Sequence, residues 1–192
     1  MVKFKKSFFL FIFVLVIFIG RFSMANEERD IINMTLKDGV VVIETRPDLA
    51  PKHVAQIKTL INEGQYNGVV FHRVIDGFMA QTGDVEHGNS SNDNYNLSRA
   101  GTGGSKLPDI EAEFSKANHG RGALSMARAQ NPNSANSQFF ICFEPAPFLD
   151  RQYTVFGKVI EGMEFVDKIK RGDSNNNGSV IDPDKIISFK SK

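Results

Sequence analysis

The sequence predicts a mainly β protein, a closed antiparallel barrel with only two helices. Three observations carry that prediction. Short apolar runs recur along the chain and are separated by turn signals. Only two stretches show helical spacing of apolar residues. The chain has 192 residues, 41% hydrophobic and 23% charged, which suits one globular domain with a real core and is short for two.

The elements follow in order. Ile31 to Leu36 and Val40 to Thr45 are apolar runs joined through Asp38-Gly39, a hairpin signal. After Pro47 the period changes: Val54, Ile57 and Ile61 recur at helical spacing, Pro51 suits a first turn and Gly64 a stop, so a helix is expected over 51–63. Strands are expected at Val69 to Val74 and Phe78 to Gln81, split by Asp76-Gly77. Thr82 to Leu107 is polar and rich in Gly, Ser and Asn, a length that marks a functional or mobile loop. Its Gly101-Thr102-Gly103-Gly104 lacks the Lys-Ser/Thr and helix start of a phosphate cradle and reads as a flexible turn. Further strands are expected at Ala123 to Ala127, Gln138 to Phe143, Thr154 to Val159 and Lys185 to Phe189. The second helix is expected at Met163 to Lys170, where Met163, Val166 and Ile169 or Lys170 share a face. There is no internal repeat.

The N-terminus differs in composition. Lys3, Lys5 and Lys6 precede an uninterrupted apolar run from Phe8 to Ile19, too short for a comfortable membrane span but suited to a signal peptide. Ser23 and Ala25 are the small residues a signal peptidase reads, so residues 1–25 are expected to be a signal peptide and 26–192 a single domain. The alternative is an uncleaved anchor, with Arg21 snorkelling. Cleavage after Ala25 removes four of the 23 basic residues and no acid, leaving 19 against 22 acidic ones. That balance argues against nucleic acid or an anionic membrane as partner. The single Cys142 lies in the apolar run Phe139 to Phe143, so no intramolecular disulfide forms and a buried thiol is expected. An exported chain without disulfides points to a bacterial periplasm, or to the inner membrane if the anchor is kept.

The most informative stretch is Phe71-His72-Arg73-Val74-Ile75-Asp76-Gly77-Phe78-Met79-Ala80-Gln81-Thr82-Gly83-Asp84. It sets arginine, histidine and glutamine among large apolar residues in two short strands, the make-up of a small apolar pocket with a few polar groups. Taken alone, Arg73 reads as an edge-strand arginine reaching water or pairing with Asp76, and the apolar residues read as core. None of His53, His72, His87 and His119 falls at metal-ligand spacing with another.

This block, with Gly122-Ala123-Leu124-Ser125-Met126-Ala127-Arg128 and Asn136-Ser137-Gln138-Phe139-Phe140-Ile141-Cys142, closely resembles the signature of the cyclophilins, peptidyl-prolyl cis/trans isomerases, over about 31–189. The resemblance implies an eight-stranded barrel with a helix over each open end. It implies catalysis by Arg73, with Gln81 holding the guanidinium, and no cofactor or metal. Phe78, Met79, Phe140 and Leu149 match the family's proline pocket, and His72, Gln138, Phe148 and Tyr153 are expected to line the substrate site. Met126, Ala127 and Arg128 match the segment whose backbone pairs with an extended peptide. The implied partner is a proline-containing segment of a client protein, met by a monomer that touches membrane only through its N-terminal signal. Phe148 stands where animal members usually carry tryptophan, Tyr153 where they carry histidine, and Thr82 where the first block usually has glycine. A noncatalytic proline-peptide-binding or chaperone module is the alternative function. A second pattern, Asp173-Ser174-Asn175-Asn176-Asn177-Gly178 with Asp184, has calcium-loop spacing, but Pro183 lies where the exiting helix should begin, so a polar turn is expected.

Overall fold

The computed structural model describes residues 29–192; the expected signal segment lies outside them. Strands β1 (Ile31–Leu36) and β2 (Gly39–Thr45) form the first hairpin, in register from Ile31 opposite Glu44 to Leu36 opposite Gly39. Helix α1 (Pro51–Asn62) follows and buries His53, Val54, Ile57, Leu60 and Ile61. Its N-terminal residue supplies no side-chain cap. Glu113, far along the chain, does so instead, accepting the amide N–H groups of Lys52 and His53, each at 3.2 Å, and the His53 ring Nδ1 at 2.6 Å. A carboxylate there satisfies orphan donors and complements the helix dipole.

The remaining strands are β3 (Arg73–Ile75), β4 (Met79–Thr82), β5 (Ala123–Met126), β6 (Phe139–Cys142), β7 (Val155–Glu161) and β8 (Ser188–Ser191). All eight join one antiparallel sheet in the order β3-β4-β6-β5-β7-β2-β1-β8. The sheet curls on itself, and its edge strands do not pair directly. Residues just before them do: Gly68 donates to Ile186 O at 2.8 Å, Ile186 to Val69 O at 2.9 Å and Phe71 to Asp184 O at 2.8 Å. This explains why the strands expected at 69–74 and 185–189 appear later, at 73–75 and 188–191. The earlier part of each run closes the barrel, and the later part joins the ladder.

Helix α2 (Met163–Val166) is one turn, shorter than the expected 163–170. Beyond it the backbone tightens: Lys168 donates to Phe165 O and Ile169 to Val166 O, the i to i−3 bonds of a closing turn. The Arg171 guanidinium covers the Asp167 and Ile169 carbonyls, a cationic C-cap. Val166 and Ile169 stay buried, as the periodicity requires.

Two apolar clusters result. The larger fills the barrel, with Ile32, Met34, Ile43, Phe71, Val74, Ala80, Leu124, Phe139, Ile141, Phe156 and Phe189 packed under α1. The smaller holds Met79, Ala123, Phe140, Cys142, Ala146 and Leu149 on the outer face of the sheet.

Candidate active site

Strand alternation separates the two clusters and builds the site. Across β3, β4 and β6, Val74, Ala80 and Ile141 lie in one register row and point into the barrel. Their neighbours point outward: Arg73 lies opposite Gln81, Gln81 opposite Phe140, and Phe140 opposite Ser125 of β5. One residue of register brings together side chains that lie more than 50 positions apart in sequence.

Arg73 does not pair with Asp76, whose carboxylate takes Arg171 at 2.9 Å. Its Nη1 donates to Gln81 Oε1 at 3.1 Å and lies 4.0 Å from Met79 Sδ, which puts the guanidinium against the smaller apolar cluster. Nε donates to Asn177 O at 3.0 Å, and Nη2 to Asn177 Oδ1 at 3.0 Å. Burial lowers its proton affinity below that of a free guanidinium, and a nearby Tyr153 opposes that. Arginine nonetheless stays cationic at neutral pH.

The chain of bonds continues. Gln81 Nε2 donates to Gln138 Oε1 at 3.0 Å, and Gln138 Nε2 to Gly103 O at 2.8 Å. Gly103 belongs to the segment expected to be a flexible turn, and that expectation is corrected here: a buried carboxylate pins it. Asp84 Oδ2 accepts the amides of Gly101 at 2.7 Å and Gly103 at 2.9 Å, while Oδ1 accepts those of Glu86 and His87. Burial alone would raise the Asp84 pKa; the bonds from His87, Gly103, Gly101 and Glu86 outweigh it and hold the carboxyl below its usual value.

The apolar side of the site is continuous. Met79, Phe140 and Leu149 are buried together, with Phe78 and Tyr153 packed against them. Tyr153 meets Phe140 edge-on at 6.0 Å. Phe148, 62% exposed, lies against Phe78 at 5.3 Å between ring centres and forms an outer rim. Cys142 is sealed beneath, its thiol pushed up to about 12 by burial. Thr82 keeps to the strand and donates to Val70 O at 2.9 Å. The left-handed turn falls on Gly83 (φ +91°), where a Cβ would lie 2.5 Å from Ser137 O, so threonine at 82 is compatible with the turn.

Other sequence-selected residues are placed differently. His72 is buried beneath the turn at Gly101, with neither ring nitrogen hydrogen-bonded, and burial lowers its pKa to about 4. It supports that turn from inside rather than lining the groove. The Met126 side chain lies in the barrel core; its amide donates to Thr154 O, and that of Ala127 to Gln138 O. A peptide strand pairing there would therefore use other main-chain groups of this segment. Arg128 spends its guanidinium on the Ala129, Gln130 and Gln152 carbonyls and lies 4.4 Å from the Tyr153 ring centre. A groove of about 500 Å³ runs beside Gln81 and is lined by Gly103, Arg128, Asn136 and Gln138 among others.

Sequence reasoning missed Asn177 and Asp84. Asn177 was absorbed into the calcium-like pattern, whose groups are engaged within the protein. The Asp173 carboxylate accepts the Asn175 amide, the Asn177 side chain holds Arg73, and Asp184 takes the Lys170 amide and the Lys37 ammonium. Asp84 sits at the end of the first block, and nothing local marks it as a loop clamp. His119 also forms a triad-like set, Nδ1 at 2.9 Å from Asp150 and Nε2 at 2.9 Å from Ser125 Oγ. Ser125 is wholly buried and donates to Thr154 O, so no acyl group can reach it, and the set braces the wall behind Phe140.

The profile of the family described as cyclophilin type peptidyl-prolyl cis-trans isomerase/CLD matches residues 31–191. A probable peptidyl-prolyl cis-trans isomerase of Brucella abortus (strain 2308) is 62% identical over 165 residues, 86% of this chain and 83% of the relative. Peptidyl-prolyl cis-trans isomerase B of Bacillus subtilis (strain 168) is 43% identical over 140 residues, 72% of this chain and 89% of that protein. Among solved structures, a Cryptosporidium parvum cyclophilin type peptidyl-prolyl cis-trans isomerase superposes with a TM-score of 0.73 at 27% identity, covering 86% of this chain and 98% of its own. The same protein in the presence of the dipeptide Ala-Pro gives 0.71 at 28% identity, covering 84% and 98%. A profile spanning nearly all of the described residues, relatives of this identity and the eight-stranded curled sheet agree: the chain belongs to the cyclophilin-type peptidyl-prolyl cis-trans isomerases.

Proposed function

We propose that Arg73 accelerates X-Pro rotation by donating a hydrogen bond to the prolyl nitrogen, in segments of exported or folding polypeptides. Uncatalysed rotation takes about 10 to 100 s because amide resonance must be broken. Reaching about a thousand events per second requires roughly five decades, or ~7 kcal/mol of transition-state stabilisation. The prolyl nitrogen becomes a competent acceptor only when the amide twists and its lone pair localises, so a donor aimed there acts on the transition state and not on the ground state. The observation that carries this reading is the Arg73 guanidinium, held by Gln81 and Asn177 against Met79 at the edge of the apolar cluster. Met79, Phe140 and Leu149 form a floor for the proline ring, with Phe78, Tyr153 and Phe148 as its rim. The peptide runs along the Ala127-Arg128 edge and the groove beside Gln138.

The Lys-rich start, the apolar run and Ser23/Ala25 support export to a bacterial periplasm and cleavage after Ala25. An NMR-exchange or protease-coupled assay on a short X-Pro peptide tests the activity of this chain. A protein that binds the peptide without speeding exchange would be the binding module instead. The mass of the protein recovered from the periplasm tests export: a chain beginning at Asn26 supports it, and an uncleaved chain in the inner membrane replaces the signal with an anchor.

A further inference from the structure

We propose that Asn177 is a positioning residue for the reaction, orienting the Arg73 guanidinium without neutralising it. The proposal rests on Arg73 being the donor. Asn177 lies in the loop between α2 and β8, 104 positions from Arg73, yet it provides both its main-chain oxygen and its Oδ1 to the guanidinium. With Nη1 bound to Gln81 and set against Met79 Sδ, and one Nη2 N–H on Asn177 Oδ1, the second N–H of Nη2 remains uncommitted. That is the donor available to a substrate.

The loop is braced against β3, so Asn177 does not float. Val74 donates to Gly178 O at 2.7 Å, Gly172 to Val74 O at 2.9 Å, and Gly178 to Asp173 O at 2.9 Å. Asn177 is itself left-handed (φ +50°, ψ +30°), a conformation asparagine tolerates better than most residues. At Gly178 (φ +76°) a Cβ would stand 2.5 Å from Ile75 and 3.0 Å from Val74 O, so the turn can close on the strand only with glycine there. The Asn-Gly pair thus delivers a fixed oxygen to Arg73.

The chemistry of the partners is the second part of the argument. Both groups that hold Arg73 are neutral amides, and among the described residues no carboxylate forms an ion pair with it. A carboxylate at this place would make a bidentate pair, orienting the guanidinium equally well while cancelling the charge that a developing lone pair needs. A purely structural loop anchor would be served better by aspartate.

Two variants separate orientation from charge. Asn177→Gly keeps the left-handed turn and the main-chain acceptor and loses Oδ1; kcat should fall about 10-fold with KM nearly unchanged. Asn177→Asp keeps the geometry and adds a charge; kcat should again fall about 10-fold while the melting temperature holds or rises. The Arg73 Nη2–H NMR signal should be sharp and slowly exchanging in the parent protein and in Asn177→Asp, and broadened in Asn177→Gly, which loses its Oδ1 acceptor. That signal reports positioning even if Arg73→Ala retains full turnover, an outcome that would refute the donor reading separately. Parent-like kcat in both variants, or an Nη2–H signal unaffected by Asn177→Gly, would overturn the proposal.

Discussion

Replacing Arg73 is the most demanding perturbation of the proposed mechanism, because that mechanism assigns it to rotation and leaves binding to the apolar residues beside it. Its guanidinium touches Met79 and is held by Gln81 and Asn177, while the proposed proline floor is the cluster of Met79, Phe140 and Leu149. Arg73→Ala therefore leaves the apolar floor in place and removes one preorganised donor. Loss of such a donor lowers turnover by about 10² to 10³, equivalent to ~2.7–4 kcal/mol. Peptide affinity should fall less than about fivefold, since most of the buried contact is apolar. Stability should fall by about 1 kcal/mol or less, because Gln81 and Asn177 can turn to water at this half-buried site. Arg73→Lys keeps a charge but not the planar fork that Gln81 and Asn177 fix, so it should recover no more than about tenfold of the loss. Exchange NMR on an X-Pro peptide gives turnover, and titration of the same peptide gives affinity. Equal losses in both would mean that Arg73 merely docks substrate. Full activity in Arg73→Lys would mean that orientation of the donor is irrelevant.

Two further predictions follow from the buried groups around the site. In Asp84→Asn, the amide nitrogen must face N–H donors that the carboxylate now accepts, costing about 2–3 kcal/mol and lowering the melting temperature by roughly 4–12 °C; turnover should drop as well, since Gly103 anchors Gln138 and through it Gln81. An unchanged melting temperature would show that the clamp is not needed. The His72 pKa is lowered to about 4, so the unfolded chain, at the ordinary 6.5, takes up a proton first as pH falls. The stability this provides is fully present above about pH 6.5 and is lost between there and pH 4, about 3 kcal/mol in all. Burial lowers the His53 pKa as well, so the comparison is with His72→Gln, whose stability should be flatter across that window by this amount in chemical denaturation. Parallel curves for the two proteins would place His72 in water.

Much of this molecule was determined by the sequence itself. The β1-β2 hairpin, with Asp38-Gly39 at its tip, and α1, with Pro51 in its first turn, rest on local signals: a turn that needs particular dihedrals, and a period that sets one face inward. The first block likewise places Arg73 and Gln81 opposite each other once it folds as a hairpin, because its length fixes the register. Tertiary structure decided the rest, since it depends on contacts between distant segments. Barrel closure required 68–71 to meet 184–186, a pairing that no local pattern encodes. Helix α1 takes its cap from Glu113, which lies outside its own sequence. Asp84 and Asn177 belong to segments that read as polar loops, and only folding aims one at the amides of Gly101 and Gly103 and the other at Arg73. A side chain's chemical type is local, but the partner that gives it a task is selected by the path of the whole chain.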